Sequence, residues 1–329
     1  MSTSIRIAEV DPSSLMVTSD MTGYLVAGGD ISMSISDQVY SSGHLTLAMP
    51  RDSHIPVALR VYADDVVLGT FFTTPTAIRR GGRLMTAELQ LSSMLLALIS
   101  TRLTTTYAIT PAMTTSDVIR AMCRLAGRSH AIDDGVGIAR YSEVVLRDAG
   151  SDCMSVAQDA ATKAGTRLST DRIGTVISQP LVISGSGQTW TTTPGETDII
   201  SEIEKSYAWA TSPTRVIASY TNSDVSMSVV ASADGLYRGR HIDAAVSVTD
   251  LPAVSWDVLR ATARRELSDQ RAQDVWKFTS LFRPTLKAGA PATVRDTIAD
   301  EKISGMVTDM TISLSPGLPT EVTIRGEVS

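Results

Sequence analysis

The feature that most constrains this chain is a repeated alternation of apolar and hydroxylic residues near its start. Ile31-Ser-Met-Ser-Ile-Ser36 places every second side chain on one side, and Leu45-Thr-Leu-Ala-Met49 repeats the pattern before Pro50. A period of two is typical of a β-strand with one buried and one solvated face. Proline has no N–H for a strand ladder, so Pro50 marks a strand end. The sequence therefore predicts strands, not helices, in this region.

Further short strands follow at regular spacing. Apolar runs at 57–62, 66–71 and 84–91 are separated by Asp64-Asp65 and by Arg80-Gly81-Gly82, which are typical turn sequences. Serine and threonine make up 77 of the 329 residues, about 23%, and these residues favour strands and turns over long helices. Strands at such spacing close into a small barrel or a sandwich, which hides the sheet edges. We expect residues 1–103 to form a small antiparallel β-barrel.

The period changes to that of helices in the middle of the chain. Residues 114–127 carry an apolar stripe between a Ser or Thr N-cap and Gly127, and residues 151–164 carry an alanine-rich stripe that ends before Gly165. Residues 166–178 are typical of a hairpin that turns at Asp171–Gly174. We therefore predict a helix-helix-hairpin insert over 104–183. Cys123 and Cys153 lie on the helical stripes, where we expect buried, reduced thiols.

The last part of the chain returns to strands after a segment rich in Gly, Ser, Thr and Pro at 184–195, which we interpret as a linker. We predict a second β-barrel domain over 196–329, with a helix at about 255–271. Its strands are expected at 215–220, 225–230, 275–282, 293–295, 305–314 and 320–326. The predicted fold class is α+β, mainly β: two small antiparallel β-barrels, a helix-helix-hairpin insert and one further helix in the second barrel region.

Composition and charge exclude several classes of protein. The chain is 43% hydrophobic and 19% charged with a net charge of −6, which argues against intrinsic disorder and against tight nonspecific binding of nucleic acid. The longest purely apolar run is Met94–Ile99, far short of the roughly 20 residues of a membrane-spanning helix. We expect a folded protein without a transmembrane span.

No pattern of a catalytic or metal site is present. The histidines stand alone in their segments, without the HxH, HExxH or HxxE spacing of a metal site; they are His44, His54, His130 and His241. There is no GxSxG motif for a serine nucleophile, and Gly81-Gly82 joins two strands and does not open a phosphate-binding helix. We therefore predict no catalytic, cofactor-binding or metal-binding residues, no cofactor, and a protein that is not an enzyme.

Three remaining candidates have simpler interpretations. Asp64-Asp65 and Asp133-Asp134 are better explained as solvated turn residues than as paired glycosidase carboxylates, because adjacent side chains point apart. Gly185-Ser186-Gly187 is better explained as linker than as a nucleophile turn. The tryptophans are scattered, which favours ordinary packing over a sugar-stacking platform; they are Trp190, Trp209, Trp256 and Trp276.

Three stretches resemble the bacteriophage tail hub family, whose members are also described as baseplate hub or distal minor tail proteins. Thr115–Gly127 is similar to the family's short helix that ends in leucine, a small residue and glycine. Ala157–Ser178 resembles its helix, glycine, strand, Asp-x-x-Gly, strand insert. Ala261–Gly326 resembles its helix and closing strands, except that Ala290-Pro291 follows the turn glycine where the family often has an acidic residue.

The resemblance implies a structural role in the virion, at the tail tip, after assembly in the host cytoplasm. It implies a homotrimer in which two similar barrels per chain give six positions, so that a three-fold body docks on a six-fold tail. The implied partners are distal tail or tail-tube ring proteins, a tail fibre or spike protein and a tape measure protein. DNA would pass through the ring without specific binding.

Two other functions stay open from the sequence. A carbohydrate-binding receptor adhesin fits a β-rich, Ser/Thr-rich chain, and it predicts Trp and Tyr side chains clustered in a groove. A cell-wall hydrolase with an unrecognised active site is the second alternative, and it predicts activity on peptidoglycan that one carboxylate or serine substitution removes.

Overall fold

The fold is mainly β with few helices, as the sequence predicts. It is seen in a computed structural model that describes residues 4–26, 28–37, 39–132, 140–180, 187–192, 199–207, 213, 215–221, 226–232, 243–247, 256, 259–260, 263–264, 266–267 and 274–328. The chain divides into two compact units. The first unit comprises Met1–Ser186, Ser280–Ala290 and Thr308–Val322, and the second comprises Gly187–Thr279, Pro291–Val307 and Thr323–Ser329.

The elements up to residue 180 belong to the first unit. They are β1 Ile5–Val10, β2 Val17–Asp20, β3 Asp30–Ser34, β4 Ser41–Pro50, β5 Ala58–Ala63, β6 Val66–Gly81, β7 Leu84–Ser93, α1 Leu96–Ser100, β8 Tyr107–Ile109, α2 Thr115–Leu125, β9 His130–Ala131, β10 Val145–Arg147, α3 Cys153–Lys163, β11 Thr166–Thr170 and β12 Val176–Pro180. A short 3-10 turn lies at Thr22–Tyr24.

The remaining elements are strands and one late helix. The strands are β13 Gln188–Thr191, β14 Glu204–Ser206, β15 Arg215–Thr221, β16 Ser226–Ser232, β17 Asp243–Ser247, β18 Asp274–Ser280, β19 Pro291–Asp296, β20 Glu301–Ser313 and β21 Thr320–Val328. The residues of the late helix that the structure describes are 256, 259–260, 263–264 and 266–267. In the part of the chain that the structure covers, no helix is both long and apolar enough to span a membrane.

The large sheet of the first unit follows the predicted alternation. Its strand order is β20-β3-β4-β7-β6-β5-β1-β2 with antiparallel pairs, and β20 contributes its residues from Thr308 onward. Leu45, Leu47 and Met49 of β4 are buried, because every second side chain of a strand points to the same face. The predicted strands at 57–62, 66–71 and 84–91 are confirmed by β5, β6 and β7. Barrel closure stays a prediction.

The helix and hairpin predictions in the middle of the chain are confirmed. Helix α2 begins at a reciprocal capping box between Thr114 and Asp117 and buries Val118, Ile119 and Met122. Strands β11 and β12 pair antiparallel, and their turn is closed by Asp171, whose Oδ1 accepts from the N–H groups of residues 174 and 175. Short-range signals were sufficient here because caps and turns are made by neighbouring residues.

Part of the segment expected to be a linker is a strand instead. Gln188–Thr191 forms β13, which pairs in parallel with β19 of the second unit. Trp190 in its centre is 1% exposed and meets Phe278 edge to face, with ring centroids 5.4 Å apart. The threonines around Trp190 signalled loop composition, but burial of a large aromatic ring favours a strand. Residues 181–186 and 193–198, which include Gly185 and Ser186, lie outside the described residues.

The second unit contains its own apolar cluster around a three-stranded sheet. Strand β15 pairs antiparallel with β16, as the predicted hairpin requires, and in parallel with β17. Buried residues of β15 and β16 pack with buried residues of the late helix, which confirms a helix in the predicted region; the cluster contains Val216, Ala218, Tyr220, Ala231, Leu259, Ala263 and Leu267. Strands β18 to β21 confirm the closing strands.

Candidate functional site

The histidines do not form a common site in the described residues. His44 lies beside Asp30, and His54 Nε2 lies 2.8 Å from Glu9 Oε1, so each has one carboxylate partner. His130 is partly buried, and burial together with nearby arginines lowers its pKa. His241 lies outside the described residues. No group of three or more His, Cys, Asp or Glu side chains with metal-binding proximity occurs in the described part of the chain.

The acidic pair Asp64-Asp65 lies in the turn between β5 and β6. Asp64 has a φ of +50° between β5 and β6, and its carboxylate accepts hydrogen bonds from the N–H and hydroxyl of Ser4. The interpretation of Asp64-Asp65 as solvated turn residues is therefore confirmed, because aspartate side chains commonly stabilise turns through such hydrogen bonds. Gly82 has a φ of +58° in the β6–β7 turn, as predicted. Asp133 and Asp134 lie outside the described residues.

Both cysteines are buried free thiols, as predicted. Cys123 lies on α2 and Cys153 on α3. Burial, followed by the proximity of Cys153, raises the pKa of Cys123 to about 12, and burial also raises the pKa of Cys153. A thiol with a raised pKa is a poor nucleophile and a poor metal ligand at neutral pH, so these residues serve packing.

The tryptophans do not form a groove for sugars where the structure describes them. Trp190 and Trp276 are both buried in the second unit. Trp256 is 51% exposed on the late helix, and Trp209 lies outside the described residues. A stacking platform needs exposed ring faces. Trp190 and Trp276 therefore cannot contribute to a carbohydrate-binding surface of this kind.

A charged cluster that the sequence did not reveal lies in the second unit. Lys205 Nζ of β14 lies 2.5 Å from Asp296 Oδ2 and 2.7 Å from Glu301 Oε2, and 4.6 Å from the Trp276 ring centroid. The Tyr207 hydroxyl donates to Glu301 at 2.8 Å. No local sequence motif marks any of these residues as part of a site. The charges come together only because the strands that carry them belong to one sheet. The cluster ties β14 to β19 and β20, with which β14 does not pair.

The charges of this cluster shift one another's pKa values. Burial disfavours the charged ammonium of Lys205, but its hydrogen bonds to Asp296 and Glu301 outweigh that effect and raise the pKa of Lys205. The hydrogen bond from Lys205 lowers the pKa of Asp296 and, together with that from Tyr207, the pKa of Glu301. Carboxylates with lowered pKa values stabilise the fold above their unfolded pKa near 4, and that stability is lost as pH falls.

We expect Lys205→Met to flatten the acid dependence of stability. In the wild type, the urea midpoint should fall as pH decreases from about 6 to 3, because the carboxylates must be protonated against Lys205. The variant should be less stable at pH 7, where two carboxylates lose their cation, and should lose less on acidification. Tryptophan fluorescence measures this unit selectively, since all four tryptophans lie between residues 187 and 279. Lys302→Met, at an exposed position of β20, is the control and should retain the wild-type slope.

One face of the first sheet forms an open polar groove of about 440 Å³. Cross-strand neighbours align on it: Ser32 faces Ser42, and Asp30 faces His44. We call this surface the hydroxyl face; its residues are Asp30, Ser32, Ser42, His44, Thr46, Thr76, Glu88 and Gln90. Both carboxylates have basic partners, because Asp30 meets His44 and Glu88 Oε1 lies 3.2 Å from Arg79 Nη2. The face is thus rich in short polar side chains and poor in unpaired charge.

The β6–β7 hairpin carries a second exposed surface. Strand β6 is 16 residues long, and its last part is mostly exposed after a bulge between Pro75 and Ala77. Ile78 is 44% and Leu84 56% exposed at this end, and Arg79, Arg80 and Arg83 accompany them. An exposed mixture of apolar side chains and arginine is typical of protein–protein contact surfaces.

The whole chain is similar in structure to several tail proteins. A tail protein from Neisseria meningitidis superposes with a TM-score of 0.71 at 12% identity, over 99% of this chain and 97% of that one. The 43 kDa tail protein of prophage MuSo2 from Shewanella oneidensis gives 0.67 at 9% identity, over 97% of each chain. This chain has the fold of phage tail proteins.

A third likeness supports the same tail-protein fold. A prophage tail protein from Listeria monocytogenes gives a TM-score of 0.60 at 10% identity, over 98% of this chain and 94% of that one. No protein-family model matches the sequence, and no curated protein matches it significantly. The resemblance to phage tail proteins that the sequence motifs indicate is confirmed at the level of the fold. This chain and these tail proteins share a fold although their sequences are only 9–12% identical.

Proposed function

We propose that this protein is a structural hub of a phage tail tip or baseplate, and not an enzyme. The observation that carries the proposal is that the likeness to tail proteins extends over nearly the full length of both chains. Function does not follow from fold alone, but the resemblance of the Ala157–Ser178 and Ala261–Gly326 stretches to tail hubs points to the same role. The proposed location is the tail tip of the virion, after assembly in the host cytoplasm.

The proposed assembly is a closed homotrimer. Residues 1–103 and 196–329 would act as two similar barrel domains, with 104–183 as the insert, so that three chains present six similar positions. Six positions match a six-fold ring of tail-tube or distal tail proteins, and three-fold symmetry matches a fibre or spike; a tape measure protein would be a further partner. Closed cyclic symmetry avoids open-ended growth of the assembly.

The ring would surround the DNA exit channel and let DNA pass without binding. A net charge of −6 supports this role, because a surface with excess negative charge repels phosphate. The hydroxyl face fits a channel wall, since Arg79 and His44 are each paired with a carboxylate. Short uncharged side chains give DNA no strong point of attachment.

Mass measurement and particle imaging test the proposal. Native mass spectrometry of the purified 35.1 kDa chain should give a species of three times that mass, and cryo-electron microscopy of the particles should place three copies at the tail tip. The proposed hub would be contradicted if the protein were a monomer in solution and the particles contained one copy of it or none. A trimer whose channel wall is strongly basic would contradict the proposed mode of DNA passage only.

A further inference from the structure

Three arginines of the first unit lie in or directly behind the wall of one small cavity. Arg60 of β5 is 9% exposed and Arg167 of β11 is 7% exposed, and Arg172 in the β11–β12 turn is half-buried. The hydroxyl of Thr70, which lines the cavity, accepts from Arg60 Nε at 2.9 Å. The guanidinium of Arg167 lies over the ring of Tyr40, which also lines the cavity, with its carbon 5.4 Å from the ring centroid.

The hydrogen bonds of these arginines go to neutral acceptors. Arg60 Nη2 donates to the carbonyls of Leu15 at 2.8 Å and Ile173 at 3.1 Å. Arg167 Nη2 donates to the carbonyl of Ala288 at 2.9 Å, and Arg172 donates to the carbonyl of Pro284. Carbonyls orient a guanidinium but do not neutralise its charge.

A nearby glycine makes room for one of these cations. Gly289 has a φ of +88°, and a Cβ at this position would collide with the guanidinium of Arg167. This glycine is the turn glycine of the closing stretch. Its absent side chain therefore allows Arg167 to be buried against the 280–290 segment.

No carboxylate of the described residues forms an ion pair with Arg60, Arg167 or Arg172. Burial of a charge without a counter-charge is costly. Burial lowers the pKa of Arg167 and of Arg172, in agreement with this imbalance. The three arginines therefore carry positive charge that no ion pair of the described residues offsets.

The cavity provides a suitable place for that charge. Its volume is about 40 Å³, room for about three water molecules, which is the size class of a tetrahedral oxyanion. Ser169 lines it, is 1% exposed, and its hydroxyl has no hydrogen-bond partner among the described residues. Arg172 and the exposed Lys287 line it as well. Asp171 also lines it, but its Oδ1 is engaged by the two turn N–H groups.

We propose that this cavity is a structural anion site for one tetrahedral oxyanion of the phosphate or sulfate class. The Ser169 hydroxyl donates to the oxyanion, and Arg172 and Lys287 supply charge from the solvent side. Arg60 and Arg167 add positive potential from behind Thr70 and Tyr40. Since Ser169 and Arg172 belong to the β11–β12 hairpin and Lys287 to the 280–290 segment, a bound oxyanion fixes two distant parts of the first unit to one another.

Calorimetric titration of the full-length chain with inorganic phosphate, and separately with sulfate, tests the site. We expect saturable binding of one oxyanion per chain, in buffer free of both anions and at constant ionic strength set with sodium chloride. Arg172→Gln should weaken binding about tenfold or more, because one of the two positive charges that line the cavity is lost. Ser169→Ala, which removes one hydroxyl without changing charge, should weaken it about fivefold.

Arg80→Gln at the exposed hairpin tip is the matched control, and it should bind phosphate within twofold of the wild type. Circular dichroism on each variant establishes that it is folded, and Ser169→Ala still tests the site if Arg172→Gln does not fold. The proposal is overturned by no saturable binding at millimolar phosphate and sulfate, by equal competition from chloride, or by equal weakening in Arg80→Gln.

Discussion

Replacement of Trp190 by alanine is expected to lower the free energy of unfolding of the second unit by about 3–5 kcal/mol. The side chain is 1% exposed and packs edge to face on Phe278 with an interplanar angle of 70°. Its removal loses the transfer free energy of a large aromatic ring and leaves a cavity that the strands β13 and β19 cannot fill. Urea unfolding followed by far-ultraviolet circular dichroism measures the change without depending on the removed fluorophore.

The matched control for this prediction is Trp256→Ala. The same atoms are removed from a side chain that is 51% exposed, so the expected loss is below about 1 kcal/mol. A loss of that small size in Trp190→Ala would contradict the burial of Trp190 and would favour the linker that the sequence alone indicated for 184–195.

Gly305→Ala is expected to destabilise the second unit by about 3 kcal/mol. A Cβ at this position of β20 would collide with the carbonyl oxygen of Arg325 and would lie 2.5 Å from the Cα of Gly326 on β21. Both obstacles are backbone atoms of a paired strand, so relief requires a shift of the strand and not a change of rotamer. Tryptophan fluorescence during urea unfolding reports this unit, and Gly326→Ala should give a similar loss because its Cβ would meet the backbone of residues 304 and 305.

Gly81→Ala is the control for the glycine prediction. The substitution is identical, but no atom lies within 4 Å of the added Cβ, so the change should stay within about 0.5 kcal/mol. Because Gly81 lies in the first unit, urea unfolding of this variant and of Gly305→Ala is also followed by far-ultraviolet circular dichroism. Equal effects of Gly305→Ala and Gly81→Ala would contradict the close approach of β20 and β21 as the cause of the loss.

The local elements could be predicted well from the sequence, because the interactions that form them join residues close together in the chain. The N-terminal cap and apolar stripe of α2, the turn at Asp171–Gly174 and the alternation in β4 each depend on residues within a few positions of one another. Strand β13 could not be predicted in this way, because Gln188–Thr191 has the composition of a loop. Its state is decided by the burial of Trp190, which depends on a partner strand a hundred residues later.

The same distinction applies to the sites. The absence of recognisable catalytic spacing and the resemblance to tail hubs came from local motifs. The Lys205 cluster joins residues separated by 91 and 96 positions, and the proposed anion site joins Arg167 to Ala288 across 121. No spacing rule connects residues at such separations, since strand order decides which of them become neighbours.

By itself the sequence determined a mainly β chain with two capped helices, a hairpin and buried thiols, because hydrophobic period, caps and turns are properties of neighbouring residues. Tertiary structure alone decided that Trp190 is a core residue, that Lys205 holds two carboxylates, and that Arg60 and Arg167 are buried against Thr70 and Tyr40, which line one cavity. The physical reason is that burial and electrostatic interaction depend on distance in space, which the pairing of distant strands establishes.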